Sequence, residues 1–328
     1  MKAIVYRSYG SPDVLQCENV EKPTPGDDEV LVRVHAAAVN PLDYHMLGGL
    51  YIARIFRGLR KPKPTYPGVD LAGEVEAVGK GVTRFQPGDA VFGVARSAFA
   101  EYACASETRL ALKPANVTFE QAAAIPVAGV TALQGLRDKG GIQSGQNVFI
   151  NGAAGGVGTF AVQIAKSFGA DVTGACSTGS MDLVRSIGAD HVIDYTRDVT
   201  TGAQRYDLIL DCAGGRSLSA WRRIMTAKGT FVAIGARPGG RWFGPLPYVL
   251  KLLVTSRFVS QKVVFFVARV TAEDLTALKE LVEANKITPV IDRGYSLSEI
   301  SGAVQHLKTG HPRGKVVIHV SAHRAGHD

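Results

Sequence analysis

The chain has 328 residues, of which 46% are hydrophobic and 20% are charged, with a mean hydropathy of +0.07. This composition excludes wholesale disorder and fits a folded protein of about two domains. The excess of 37 Lys and Arg over 29 Asp and Glu favours anionic ligands, but charge alone is a poor reason to propose nucleic-acid binding. The four cysteines are far apart, which argues against a disulfide framework or a zinc finger and for a reducing, cytoplasmic compartment.

Residues 1 to about 120 contain short runs of β-type residues separated by Gly and Pro turns. The predicted strands are 3–6, 29–38, 71–78, 90–94 and 99–105. Many short strands with Gly and Pro corners are typical of a β-barrel-like domain with few helices.

From about 120 to 240 the pattern changes to alternating strands and helices. The predicted strands are 147–151, 171–176, 191–193, 206–212 and 230–234, and the predicted helices are 157–168, 181–187 and one near 218–226. This alternation indicates βαβ units and a doubly wound parallel sheet. A helix at 272–285 and a strand at 315–320 close the chain.

The apolar stretch 246–270 contains four basic residues, so we expect no membrane span, and the first residues show no secretory signal.

The loop 152–158 reads GAAGGVG and joins a predicted strand directly to a predicted helix. A dinucleotide-binding turn needs small residues at its first, third and sixth positions, which are Ala153, Gly155 and Gly158 here. The N–H groups that open the helix would then face a phosphate. A glycine-rich helix cap in an unrelated α/β protein is the alternative, which the strand, turn, helix and strand context disfavours.

The end of the second parallel strand predicts which dinucleotide is bound. An NAD site usually places an acid there, to bind the ribose 2′-hydroxyl, but residues 173–178 contain none. Asp171 lies at the start of the strand and Asp182 lies in the following helix. Because Ser177 and Thr178 can donate to a 2′-phosphate, the sequence favours NADPH.

Several further motifs occur together and in order along nearly the whole chain. They are MKAIV at 1–5, AVNPLD at 38–43, FQPGDAV at 85–91, GVTA at 129–132, AAGGVG at 153–158, VIDY at 192–195 and RGK at 313–315. On these residues the chain resembles the zinc-free, ζ-crystallin-like quinone oxidoreductases of the medium-chain dehydrogenase/reductase superfamily, close to the homologues related to reticulon-4-interacting protein. The resemblance implies an α/β protein with a GroES-like β-barrel catalytic domain, 1–122 and 270–328, around a Rossmann NADP-binding domain, 123–269.

The chain departs from the zinc alcohol dehydrogenases at their catalytic-zinc ligands. Where those enzymes carry the first cysteine, the histidine and the third ligand, this sequence has Asn40, Val69 and Val127. Their lobe of four closely spaced cysteines is also missing. Valine cannot coordinate zinc, so we expect no metal and a reaction without a Lewis acid.

The resemblance also implies contacts to the cofactor. The positions at the pyrophosphate are Ala154, Gly155, Gly156 and Val157. The positions at the adenosine 2′-phosphate are Ser177 and Tyr195. The positions at the nicotinamide and its ribose are Thr131, Ile234 and Gly235, and Lys315 approaches from the closing strand. The cationic partner of the 2′-phosphate stays open, because Arg185 could equally be a solvated surface residue.

Without a metal, hydrogen-bond donors must stabilise the oxygen of the reacting substrate. The candidates are Tyr51, Asn40 and Tyr44, with a structural turn as the alternative for Asn40 and core packing as the alternative for Tyr44. The basic cluster at 54–63 could attract an acidic or polar substrate, or be a solvated surface.

The sequence therefore predicts an NADPH-dependent, zinc-independent oxidoreductase that transfers hydride to a quinone or an α,β-unsaturated carbonyl compound. It does not separate these two substrates, because both need the same cofactor and a donor at oxygen. The alternatives are an NADPH-binding protein with a structural, regulatory or RNA-interacting role and, less favoured, a zinc-type alcohol dehydrogenase. Family analogy adds a homodimer formed through the Rossmann domains.

Overall fold

Two large β-sheets organise the part of the chain that the computed structural model describes, which is residues 1–48, 65–196, 204–234, 260–308 and 312–320. The strands are β1 (Lys2–Val5), β2 (Gln16–Asn19), β3 (Glu29–Val39), β4 (Asp70–Val78), β5 (Ala90–Val94), β6 (Tyr102–Ser106), β7 (Leu110–Leu112), β8 (Asn147–Asn151), β9 (Asp171–Cys176), β10 (His191–Asp194), β11 (Tyr206–Asp211), β12 (Met225–Ala233), β13 (Lys262–Phe265), β14 (Ile291–Ser296) and β15 (Lys315–His319). The helices are α1 (Pro41–Gly48), α2 (Phe119–Ala123), α3 (Pro126–Leu133), α4 (Gly156–Ser167), α5 (Met181–Ser186), α6 (Leu218–Arg222), α7 (Ala272–Glu283) and α8 (Ile300–Lys308), and a π-helix, Gln134–Gly140, continues α3.

The seven-stranded sheet is built from both ends of the chain. Its order is β14-β15-β3-β4-β5-β7, and β6 also pairs with β3. Strand β15 pairs antiparallel with β3 in the register Val316↔Val39, so the closing strand completes a sheet that the first third of the chain begins. This confirms the GroES-like fold class, while the domain limits at 122/123 and 269/270 stay predictions.

The six-stranded sheet is parallel throughout and has the order β10-β9-β8-β11-β12-β13. This is the strand order of a doubly wound, Rossmann-type sheet, in which the order reverses between its first and fourth strands, here β8 and β11. The central residues of both strands, 148–150 and 208–210, are at most 1% exposed, as expected for strands covered on both faces. The ligand crevice of such a sheet lies at the carboxyl ends of β8 and β11.

One hydrophobic cluster joins the two sheets. It contains Ala72 and Phe92 from the first sheet together with Ile150 and Phe160 from the second layer. A polar contact reinforces the junction, because the amide of Gln163 donates to the backbone oxygen of Thr288 and accepts from its N–H, at 3.0 and 2.8 Å. The six-stranded sheet is therefore held against the seven-stranded sheet by apolar packing and by these two hydrogen bonds.

The predicted elements agree with the observed ones most closely in the parallel sheet. The helix predicted near 218–226 is shorter, because α6 ends at Arg222 and the chain re-enters the sheet at Met225. The strand predicted at 99–105 begins only at Tyr102. None of the described helices combines the length and the apolar composition needed to cross a bilayer.

Candidate active site

The glycine-rich loop turns sharply between β8 and α4. Gly152 has φ +78°, and its N–H donates to the backbone oxygen of Ala175. A Cβ at Gly158 would overlap the backbone oxygen of Gly152, so only glycine lets the helix approach the strand this closely. In the first turn of α4, the N–H groups of Gly156, Val157 and Gly158 have no hydrogen-bond acceptor among the described residues. These donors at the positive end of a helix suit a phosphate group.

The closing strand of the chain runs beside this loop. Gly155 forms an isolated parallel β-bridge with Gly314, the residue before β15. A Cβ at Gly156 would lie 3.0 Å from Cδ of Lys315, so the aliphatic stem of this lysine passes against the loop. The sequence prediction placed Lys315 near the cofactor, and the structure places its stem beside the predicted pyrophosphate site.

The ammonium group of Lys315 ends in a buried polar cluster, here called the Lys315 cluster, which consists of Asn40, Asp43, Asp70 and Lys315. Lys315 Nζ donates to Asn40 Oδ1 at 2.8 Å, to Asp70 Oδ2 at 3.2 Å and to the backbone oxygen of Val39 at 3.3 Å. Asp70 is fully buried, and Lys315 is 4% exposed. A charge pair at this depth persists only because further hydrogen bonds complete it.

The two carboxylates of the Lys315 cluster accept hydrogen bonds from backbone N–H groups at the starts of two helices. Asp70 Oδ1 accepts the N–H of Val127 in the first turn of α3 at 3.0 Å, and Asp43 Oδ2 accepts the N–H of Asn40 before α1 at 2.7 Å. Burial and, to a smaller extent, the nearby Asp70 carboxylate raise the pKa of Asp43 to about 7, against the opposing effects of the Asn40 N–H and Lys315. The cluster therefore contains a carboxyl group that titrates near neutral pH.

The three positions that carry zinc ligands in the zinc alcohol dehydrogenases meet at this cluster. Asn40 and Val127 both contact Asp70, and Val69 precedes it in the chain. Within the described ranges, no group of three or more His, Cys, Asp or Glu side chains has the arrangement of a metal site. Asn40 Nδ2 donates to Asp70 Oδ2 at 3.0 Å and to the backbone oxygen of Ala38 at 3.3 Å. Both of its amide hydrogens thus have partners inside the protein, whereas the predicted catalytic role needs one for the substrate.

The predicted 2′-phosphate site lies where β9 and β10 end. Ser177 is half-buried there, and Tyr195 is 38% exposed, with its N–H bound to the backbone oxygen of Cys176. Thr178 differs from the prediction, because its hydroxyl donates to Asp194 Oδ2 at 2.5 Å and is not free for a phosphate.

A guanidinium group borders this site. A Cβ at Gly179 would lie 2.9 Å from Nη2 of Arg313, so the Arg313 side chain covers the residue that follows Thr178. Arg185, the cation that the sequence left open, instead pairs with Asp182 at 2.9 Å on the protein surface. The geometry therefore favours Arg313 over Arg185 as the cation at this site.

The residues predicted at the nicotinamide end lie at the carboxyl edge of the parallel sheet and beside it. Thr131 is half-buried, and its hydroxyl donates to the backbone oxygen of Val127 at 2.6 Å. The N–H of Ile234 donates to the backbone oxygen of Asp211, which extends the β11 and β12 pair by one residue. Tyr44 packs against the core of the first sheet, and burial raises the pKa of its hydroxyl.

Part of the prediction falls on residues that the structure does not describe. These are Tyr51, Gly235 and the basic cluster 54–63. Their assignments stay predictions.

Sequence reasoning missed three residues of the site, namely Asp70, Asp194 and Arg313. Asp194 and Arg313 lie in the motifs VIDY at 192–195 and RGK at 313–315, and Asp70 follows Val69, the position compared with the zinc-binding histidine. These residues could have been found from sequence because each is a charged residue among turn and core residues, where a charge is unusual. Their partners lie far away in sequence, which is why the motif alone did not assign them a role.

Comparison with known proteins agrees with this architecture. A model of the alcohol dehydrogenase GroES-like domain matches residues 26–116, and a model of the zinc-binding dehydrogenases matches residues 187–318. A 2-methylene-furan-3-one reductase of Solanum lycopersicum is 36% identical over 97% of this chain and 79% of its own length. A chloroplastic NADPH-dependent alkenal/one oxidoreductase of Arabidopsis thaliana is 35% identical with the same coverage. The structure of a quinone oxidoreductase from Coxiella burnetii superposes with a TM-score of 0.86 at 30% identity, covering 98% of this chain and 99% of that one.

A GroES-like sheet completed by the C-terminal strand, and a Rossmann sheet with a phosphate-type loop at its switch point, define a two-domain oxidoreductase of the dehydrogenase class. Within that class, the chain belongs to the quinone oxidoreductase family of the medium-chain dehydrogenases/reductases.

Proposed function

We propose that this protein transfers hydride from NADPH to a quinone or to an α,β-unsaturated carbonyl compound, without a metal ion. The observation that carries the proposal is the set of three unbonded N–H groups at the start of α4, bordered by Lys315. The names of the relatives support the substrate classes, since one is a 2-methylene-furan-3-one reductase, one is an alkenal/one oxidoreductase and one structural relative is a quinone oxidoreductase. Bound NADPH supplies the hydride from C4 of its nicotinamide ring.

The described residues suit each part of this cofactor. Ala154, Gly155, Gly156 and Val157 would line the pyrophosphate, and Gly156 and Val157 would bind it through their backbone N–H groups at the helix N-terminus. Ser177, Tyr195 and Arg313 would hold the 2′-phosphate, and a guanidinium can bind a phosphate through two parallel hydrogen bonds. Thr131 and Ile234 would border the nicotinamide and its ribose, and the predicted contact of Gly235 lies outside the described residues.

The Lys315 cluster gives Asn40 a different role from the one that the sequence suggested. Because its amide is bound to Lys315 and Asp70, we assign Asn40 as a positioning residue that fixes the start of α1. Tyr51 and Tyr44 remain the proposed donors to the substrate oxygen, with Tyr51 preferred because Tyr44 packs into the core.

The reaction is tested by following NADPH oxidation at 340 nm with a panel of quinones and enones. We expect turnover of at least one member of the panel, and Tyr51→Phe slows it without weakening NADPH binding. Binding of NADPH without turnover of any member would instead favour the non-enzymatic alternative. Stoichiometric zinc in the purified protein would contradict the metal-free mechanism.

The assignment of Arg313 is tested separately. Arg313→Ala should raise the dissociation constant of NADPH by about 10- to 100-fold, because a hydrogen bond to a charged group is lost, and should leave that of NADH almost unchanged. Arg185→Ala is the matched control, since Arg185 pairs with Asp182 on the surface. Equal losses for the two variants would remove Arg313 from the site.

We also propose the split domain arrangement, a cytoplasmic location and a homodimer. All four cysteines are free thiols, which fits a reducing compartment, although the Arabidopsis relative is described as chloroplastic. Strand β13 is the last strand of the described parallel sheet, and its outer edge is a surface on which a second copy could pair. Light scattering of the purified protein tests the dimer, and limited proteolysis tests the domain limits.

A further inference from the structure

An acidic side chain borders the proposed 2′-phosphate site. Strands β9 and β10 run parallel in the register Asp194↔Cys176, so Asp194 ends its strand beside the residue that precedes Ser177. The N–H of Tyr195 donates to the backbone oxygen of Cys176, which fixes the crossing point of the two strands. Asp194 therefore occupies the edge of the sheet at which the adenosine ribose of a Rossmann cofactor lies.

Hydrogen bonds fix the position of the Asp194 carboxylate. Thr178 Oγ1 donates to its Oδ2 at 2.5 Å, and the N–H and hydroxyl of Thr196 donate to its Oδ1 at 3.0 and 2.7 Å. The Asp194 carboxylate is thus held beside Thr178. It also occupies the Thr178 hydroxyl, which could otherwise donate a hydrogen bond to a phosphate of the cofactor.

Two opposite charges consequently border residues 178–179. Arg313 lies against Gly179, and Asp194 is bound to the neighbouring Thr178. A 2′-phosphate is attracted by the guanidinium and repelled by the carboxylate, whereas the 2′-hydroxyl of NADH can donate a hydrogen bond to a carboxylate.

We infer that Asp194 is a specificity-determining residue that opposes the 2′-phosphate, so that the preference for NADPH over NADH is a balance between Arg313 and Asp194. This inference rests on the proposed cofactor site. In this view the wild-type Asp194 carboxylate weakens the binding of NADPH. Neutralising Asp194 therefore increases the preference of the protein for NADPH over NADH.

The experiment measures the dissociation constants of NADPH and NADH for the wild-type protein and for Asp194→Asn, by the change in nicotinamide fluorescence on binding. We expect the NADPH/NADH affinity ratio to rise about fivefold, because the variant removes one like charge from the edge of a solvated phosphate site. The matched control is Asp171→Asn, which removes the same charge from the opposite end of β9, about 16 Å away, and should leave the ratio unchanged. Asp194→Ser replaces Asp194→Asn if the latter has a lowered melting temperature.

Each result decides a separate question. An unchanged ratio in Asp194→Asn, or an equal rise in the control, overturns the role of Asp194 alone. Failure of the wild-type protein to bind either nucleotide overturns the proposed function together with this inference. If no quinone or enone is turned over, only the proposed reaction is refuted. The ratio of the NADPH and NADH affinities can still be measured.

Discussion

The buried pair of Lys315 and Asp70 predicts a large loss of stability for Lys315→Met. Methionine keeps an unbranched stem beside Gly156 but removes the ammonium, which is the positive partner of a fully buried carboxylate. Removing one member of a buried ion pair costs about 3–5 kcal/mol. Asp70 keeps its hydrogen bonds from Asn40 and Val127, so we expect the lower end of that range, about 3 kcal/mol.

The assay is urea-induced unfolding, with the free energy of unfolding taken from the midpoint and slope of the transition. Lys166→Met is the matched control, because Lys166 pairs with Asp190 at 2.7 Å with both side chains about one-third exposed, and its loss should cost below about 1 kcal/mol. The double variant Asp70→Asn/Lys315→Met removes both charges, so it should lose less than the sum of the two single variants. A cost below about 1 kcal/mol for Lys315→Met, or strict additivity in the double variant, would refute the reasoning.

Three more predictions follow from other contacts. Because burial raises the pKa of Asp43 to about 7, the folded state holds this proton more tightly than the unfolded state does, and the free energy of unfolding should fall as the pH rises from about 4 to about 7. Asp43→Asn should flatten that slope in urea titrations run across this range. Gly158→Ala should abolish NADPH binding and lower the melting temperature, because its Cβ would overlap the backbone oxygen of Gly152; wild-type binding by this variant contradicts the loop geometry. Gln163→Leu should cost about 1 kcal/mol in urea unfolding because it removes the two hydrogen bonds to Thr288, and an unchanged free energy of unfolding would contradict a stabilising role of this contact.

The features that could be predicted from sequence are those whose cause is local. The loop at 152–158 combines a strand, small residues at fixed spacing and a helix, so both its fold and its ligand class follow from adjacent residues. The alternation of strand and helix likewise predicted the parallel sheet. Helix α6 ends earlier than predicted because pairing of Met225 with Tyr206 pulls the chain back into the sheet, and this is a tertiary contact.

The features that were missed depend on residues that are distant in sequence. From sequence, Thr178 is a candidate hydrogen-bond donor to a phosphate. Only the register of β9 and β10 shows that Asp194 lies beside it and accepts its hydrogen bond. Arg313 reaches Gly179 only because the C-terminal strand joins the first sheet. Asn40 was predicted from its position at a former metal ligand, but nothing near it in sequence indicates that Lys315 occupies its carbonyl oxygen.

The separation of Lys315 from Asp70, 245 residues along the chain, has a consequence for biosynthesis. During translation the Asp70 carboxylate at the centre of the first sheet is made 245 residues before the lysine that pairs with it. The first sheet cannot be completed until β15 has left the ribosome. The same holds for the contact of Gly314 with Gly155 in the glycine-rich loop. We therefore expect nascent chains that stop short of β15 to remain open and accessible to chaperones and proteases. Formation of the proposed cofactor site therefore depends on a strand that is synthesised long after the strand that carries Asp70.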